Sequence, residues 1–218
     1  TVSRRFIRTS AKKLQALQER RLDSYDFVAL VLDGKSFAAD AMVIALGVTL
    51  SGEKVLLGFV QTATENERVC AAFLRALVER GLKTDQGLLC VIDGAKGLRK
   101  AIQSVFGAQA VVQRCQWHKR ENVVAYLPKG QQAAWRRQLQ AAYERPSYAE
   151  AKAALLRLRA ELRLLNASAV TSLEEGVEET LTLHRLGVFG VVGTSLKTTN
   201  CLESILALVG RRTDKVTR

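Results

Sequence analysis

Two segments of the chain end alike. "LVLDG" and "CVIDG" set Asp33 and Asp93 directly after apolar runs, so each acid is expected at the end of a buried strand. Two carboxylates brought close together repel, and each raises the other's pKa. A divalent cation removes that penalty. Mg2+ takes oxygen ligands and is commonly held by one or two carboxylates plus substrate phosphate. Two such ions position an attacking oxygen and stabilise a leaving one in phosphodiester chemistry. A third acid on a neighbouring helix completes the set, and Glu203 in "TTNCLES" is the candidate. Each acid also has a plain local explanation. Asp-Gly makes turns, and Asn200-x-x-Glu203 fits a helix-capping pattern.

A second cluster lies in "VVQRCQWHKRENVV", where Cys115 and His118 are spaced like half a zinc site. A closed zinc site takes about four ligands. The only other histidine is His184, and the four cysteines (Cys70, Cys90, Cys115, Cys201) form no C-x-x-C pair. A zinc finger is therefore not expected, and reduced thiols are. Three readings stay open for His118: a contact to DNA phosphate, a brace for a catalytic acid, or a histidine at the core edge beside a buried cysteine. Arg114, Lys119, Arg120 and Asn122 are candidates for contacts to a nucleic-acid backbone, against the alternative of a solvated helix face. Trp117 is read as packing before base stacking.

The elements that would position these groups follow from hydropathy spacing. Residues 10–22 read as a basic helix. "FVALVLDGKSF", "AMVIALGVTL" and "KVLLGFVQT" are strand-like, with "SGE" as turn chemistry between the second and third. A helix is predicted from about Glu65 to Arg80, with Val69, Phe73, Ala76 and Leu77 on one face. "GLLCVIDG" is a fourth strand. The next helix carries Leu98, Ile102, Val105 and Phe106 on one face, and "AQAVVQ" is a short fifth strand. From about 129 to 186 strand signals vanish. There Ala151, Leu155, Leu158, Leu162 and Leu165 form a helical stripe, and Ser147 with Glu150 and Ser172 with Glu175 read as capping boxes. "GVFGVVG" reads as a Gly-rich connector and "NCLESILALVG" as a last helix.

The order βββαβαβ, then helices, predicts an α/β fold with a ribonuclease-H-like mixed sheet and an all-helical insertion before the last catalytic helix. The first and fourth strands are neighbours in that plan. The domain reading is a basic helical lead-in at 1–24, the core at 25–128, the insertion at 129–190 and the final core helix at 191–218. A doubly wound nucleotide-binding fold would open βαβ with a Gly-rich phosphate loop, and neither is present.

Charge narrows the partner. The chain of 218 residues carries a formal net charge of +12. Residues 1–21 hold seven Lys or Arg against one Glu, and residues 211–218 hold four against one Asp, so three quarters of the excess lies at the two ends. Such surfaces attract phosphate backbones through counterion release. No apolar run approaches the roughly 20 residues of a membrane-crossing helix. The initial Thr and the final "RRTDKVTR" read as a piece of a longer protein.

Beyond these local readings, "LDGKSF", "VIDGAKGLRKAI", "QRCQWHKRENVV", "SLEEGVEETLTLHRLG" and "SLKTTNCLES" occur in an order that resembles the DDE transposases of the bacterial mutator-like family. The resemblance runs nearly end to end. It implies a ribonuclease-H-like core with a helical insertion, and Asp33, Asp93 and Glu203 as a triad holding two Mg2+ or Mn2+ ions. It marks Cys115 and His118 as the family's Cys/Asp-x-x-His signature. It implies double-stranded DNA as partner, with homo-oligomers on DNA, no membrane, and a cytoplasmic, nucleoid-associated place in a bacterium. There are departures. Glu121 stands where many members have Arg, and Ile205, Leu206 and Ala207 stand where members often place Asn. The family's N-terminal DNA-binding region and C-terminal helical tail are not in this sequence. The rival expectations are a nuclease on the same fold and a non-catalytic, DNA-binding remnant of a transposase.

Overall fold

The computed structural model describes residues 2–37, 40–62 and 66–203. A basic helix α1 (Val2–Glu19) precedes three strands, β1 (Phe27–Phe37), β2 (Asp40–Thr49) and β3 (Lys54–Thr62). Then come α2 (Glu67–Glu79), β4 (Leu88–Ile92), α3 (Lys96–Phe106), β5 (Ala110–Arg114) and α4 (Gln116–Val124). Six further helices follow: α5 (Lys129–Tyr143), α6 (Tyr148–Arg163), α7 (Ala167–Glu174), α8 (Val177–Thr180), α9 (Thr182–Arg185) and α10 (Phe189–Leu196). The five strands form one sheet in the order β3-β2-β1-β4-β5. The protein is thus an α/β fold with the predicted succession of elements. Among the described residues no helix is long and apolar enough to cross a membrane. None of the four cysteines is disulfide-bonded.

The chain divides into two compact units, Thr1–Leu89 with Lys96–Ala110, and Cys90–Ala95 with Val111–Arg218. In the first, β1, β2 and β3 form an antiparallel meander. The β2–β3 turn closes as "SGE" predicts: Thr49 N–H donates to Glu53 O at 2.9 Å, and Gly52 takes φ +85°. Leu30, Leu32, Ile44 and Leu57 are buried along the strands. Asn66 caps α2, its side chain accepting from Val69 N–H at 3.0 Å. The buried face of α2 is Cys70, Ala71, Leu74 and Leu77: of the expected face Leu77 is buried, and Val69, Phe73 and Ala76 lie one residue round. Both lines have helical period, and only packing against α3 and β3 chooses between them. The start expected near Glu65 falls outside the described residues.

In the second unit the helices enclose a core of Val123, Leu127, Trp135, Leu139, Tyr143, Leu155, Leu158 and Leu162. Ser147 and Glu150 form the expected capping box. Ser172 and Glu175 do not. Ser172 lies in the last turn of α7, whose cap is Asn166, accepting from Ala169 N–H at 3.1 Å. Leu165 lies beyond the end of α6 and is exposed. "GVFGVVG" is not a connector but most of α10. There the ring of Phe189 packs 3.0 Å from where a Cβ on Gly193 would stand, so the glycine makes room for the aromatic within the helix.

Candidate functional site

Asp33 does not end its strand. It pairs with Ile44 inside β1, and the ladder continues through Gly34↔Val43 to Phe37↔Asp40. The Asp-Gly pair therefore makes no turn here, and the Asp33 side chain is buried, only 4% of the residue being exposed. Asp93 does follow the last residue of β4. Its Oδ1 accepts from Ala95 N–H at 2.9 Å, a local bond that fixes the corner before α3 begins. Glu203 is exposed on the helical turn 200–203. The rest of the expected last helix, with Ile205, Leu206, Ala207 and the basic residues of 211–218, lies outside the described residues.

The Cys115–His118 pair is the hinge of this region. Cys115 N–H donates to Ile92 O at 2.7 Å, one residue before Asp93. Gln116 N–H donates to Lys197 O at 2.9 Å. The Thr199 hydroxyl donates to the Cys115 thiol at 3.8 Å and lies 3.5 Å from His118 Nδ1. One buried cysteine thus touches the chain one residue before Asp93 and four residues before Glu203. Burial alone would push its thiol up. Hydrogen bonding to His118, the charge of that ring and the Thr199 backbone outweigh burial and hold it below the usual thiol value. Trp117 meets the His118 ring edge-on at 4.9 Å and is partly exposed, so it packs locally. Thr199 was missed from sequence, although it stands in the quoted "SLKTTNCLES".

Two of the residues expected to touch a nucleic-acid backbone are buried. Arg114 is 7% exposed and Lys119 is fully buried. Arg114 Nη1–H donates to Glu175 O at 3.0 Å, and Lys119 Nζ–H donates to Ser172 O at 2.5 Å. Their donors face the helical segment, which corrects the expectation of solvent-side phosphate contacts for these two. Arg120 is partly buried and bonded to Glu121 (3.1 Å) and Gln140 (2.8 Å). Glu121, the departure from the family pattern, also pairs with Arg136 at 2.8 Å. Asn122 is exposed. His184 is a structural residue: Nε2 lies 3.1 Å from the carbonyls of Tyr143 and Arg145, the ring stacks on Phe189, and burial lowers its pKa.

As donors, three carboxylates suit a hard divalent cation. As arranged, no three His, Cys, Asp or Glu side chains among the described residues are grouped to hold a metal ion.

Comparison with known proteins agrees over the full length. The family model for transposases of the Mutator family matches residues 1–218. The chain is 29% identical over 210 residues to the transposase for insertion sequence element IS6120 of Mycolicibacterium smegmatis, covering 94% of this chain and 63% of that protein. It is 30% identical over 210 residues to the ISRM5 transposase of Rhizobium meliloti, covering 93% and 51%. The IS256 transposase of Staphylococcus aureus transposon Tn4001 is 27% identical over 232 residues, covering 100% and 58%. The chain spans about half to just under two thirds of the length of these relatives. With the match extending from its first residue to its last, the chain belongs to the Mutator family of transposases.

Proposed function

We propose that this chain is the catalytic segment of a transposase that cleaves DNA at the ends of a mobile element and joins them to target DNA. Asp33, Asp93 and Glu203 are its acids, on a ribonuclease-H-like core. The observation that carries the reading is the double reach of Cys115, bonded to Ile92 O beside Asp93 and to Thr199 ahead of Glu203. The strand order β3-β2-β1-β4-β5 and the antiparallel meander β1–β3 support the ribonuclease-H-like plan. In the first reaction a water oxygen bonds to phosphorus and the P–O3′ bond breaks, freeing a 3′-hydroxyl. In the second, that 3′-oxygen bonds to a target phosphorus and displaces the target's own 3′-oxygen. Both are in-line displacements.

The acids would hold two Mg2+ or Mn2+ ions, which when bound supply charge stabilisation for both oxygens. The chain's own residues orient. The Asp93 corner is set by its bond to Ala95 N–H, and the Glu203 turn by Thr199 against Cys115 and His118. Backbone phosphates are met by α1, where exposed Arg4, Arg8 and Lys12 recur every fourth residue, with no acid before Glu19. Four residues advance a helix by about 6 Å, so the three cations form a line suited to successive phosphates. Exposed Asn122 is a further backbone contact. The active form is a homo-oligomer on DNA.

The rivals are a nuclease on the same fold and a segment that binds DNA without chemistry. A strand-transfer assay with Mn2+ and pre-cleaved ends separates the readings. Joining by the wild type, reduced on the order of 10²–10³-fold in Asp93→Asn with DNA affinity kept, supports catalysis. Cleavage without joining supports a nuclease, and binding with no reaction supports the remnant.

A further inference from the structure

Arg114 occupies a slot between two glycines. Gly94, next to Asp93, has φ +110°, and a Cβ there would overlap Arg114 Nε and lie 2.6 Å from its Cζ. Gly176, next to Glu175, has φ +69°, and a Cβ there would lie 2.6 Å from Arg114 Nη1. At both positions the backbone conformation and the missing space exclude a side chain. The guanidinium bonds to Glu175 O, has Nη2 3.6 Å from Glu175 Oε2, and leaves Nε buried without a hydrogen-bond partner. Lys119 backs it, with Nζ bonded to Ser172 O and 3.9 Å from Glu175 Oε2. Two buried cations side by side are costly, and a packed apolar pair in their place is often neutral or better. A planar, delocalised ion does what a lysine cannot: it stacks thinly between two backbones while donating sideways.

The same stretch of chain is stitched further along. Gln113 Nε2–H and Gln116 Nε2–H both donate to Thr180 O at 2.9 Å. Thr182 Oγ1–H donates to Val112 O at 2.6 Å, and Leu183 N–H to Gln113 Oε1 at 3.0 Å. The helical segment thus covers residues 112–116 with its own polar groups, and Arg114 is the member of that seam that also reaches the Asp93–Gly94 corner.

We propose that Arg114, seated between Gly94 and Gly176 and backed by Lys119, is a positioning residue that couples the 172–176 turn of the helical segment to the Asp93–Gly94 corner. The corner keeps its place only while that turn is docked. The coupling stands on these contacts. Its bearing on catalysis rests on the reading of Asp93 given above, and the test needs no catalysis.

The test is amide hydrogen exchange on the full chain, comparing the wild type with Arg114→Lys, Arg114→Ala and Gly176→Ala. Exchange is expected to accelerate at residues 93–95 and 172–176 together, on the order of tenfold, with α6 unchanged. Millimolar methylguanidinium should restore protection at both places in Arg114→Ala, and methylammonium should not. Acceleration at 172–176 alone overturns the coupling, as does uniform acceleration through α6. Should Arg114→Ala fail to fold, Arg114→Lys carries the same comparison, since it keeps the charge and loses only the planar fork. Lost protection with undiminished DNA joining would uphold the coupling and remove Asp93 from the catalytic reading.

Discussion

The chain carries the same cations in two opposite settings. In α1, Arg4, Arg8, Lys12 and Lys13 are exposed. That helix is tied down at its C-terminal end, where Arg80 donates to the carbonyls of Leu17 (3.0 Å), Arg20 (2.9 Å) and Leu57 (2.8 Å). Its outward charges meet water and salt. Around 114–119, Arg114 and Lys119 are enclosed, and every donation they make goes to the chain itself. The first setting suits a partner whose charges are many and interchangeable, such as a phosphate backbone. The second fixes one geometry. A formal charge of +12 counts both alike, yet only the outward-facing part of it is open to a charged partner.

The largest effect expected from breaking this contrast is on stability. Arg114→Ala empties the slot between Gly94 and Gly176 and leaves Glu175 O without its donor, which should cost about 2–3 kcal/mol in urea unfolding. Arg8→Ala should leave the denaturation midpoint unmoved. Equal effects from the two substitutions would erase the distinction.

The DNA side reverses the ranking. In Arg4→Gln/Arg8→Gln/Lys12→Gln, the slope of log K against log salt should fall by about 2.7, at roughly 0.9 for each phosphate that is no longer neutralised. Lys119→Met should leave the slope as it is. A slope insensitive to the triple change would move the DNA-binding face off α1.

A smaller effect is pH dependence. Burial, then the charge of Arg114, pulls Lys119 down from 10.5 to about 8, against the attraction of Glu175 and Glu179. The folded protein then loses this proton near pH 8, and the unfolded chain keeps it to about 10.5. Between those values the unfolded state binds more protons, so this group's contribution to stability rises with pH. The rise should be seen as a difference between wild type and Lys119→Met. A flat difference would mean the ammonium is better solvated than its burial implies. Smallest of all, Cys115→Ala should cost about 1–2 kcal/mol and lower DNA joining more than DNA affinity, because Thr199 loses its seat.

Much of the fold was legible because hydropathy period is local. The three-strand meander, the Ser147 capping box and the stripe from Ala151 to Leu162 all rest on neighbours in sequence. Asp93 was placed correctly at a strand end for the same reason. Asp33 was not, since an Asp-Gly that pairs across to Ile44 and Val43 looks no different in sequence from one that turns. The burial of Arg114 and Lys119 was not legible either. Long cations are exposed by default, and what encloses these two is supplied from residues 172–176, 53 positions from Lys119 to Ser172 and 61 from Arg114 to Glu175. A signal existed in Gly94 and Gly176, each following an acid, but their shared purpose shows only when one guanidinium lies against both. The face of α2 slipped by one residue because two stripes of equal period competed and tertiary packing chose.

The central claim is that Asp33, Asp93 and Glu203 serve one cation-dependent site. Its most direct test is Mn2+ titration of the chain on short duplex DNA, followed by electron paramagnetic resonance. The account predicts Mn2+ retained by the wild type, with affinity reduced roughly tenfold or more in each of Asp33→Asn, Asp93→Asn and Glu203→Gln. Mn2+ binding by the triple variant equal to that of the wild type would contradict it.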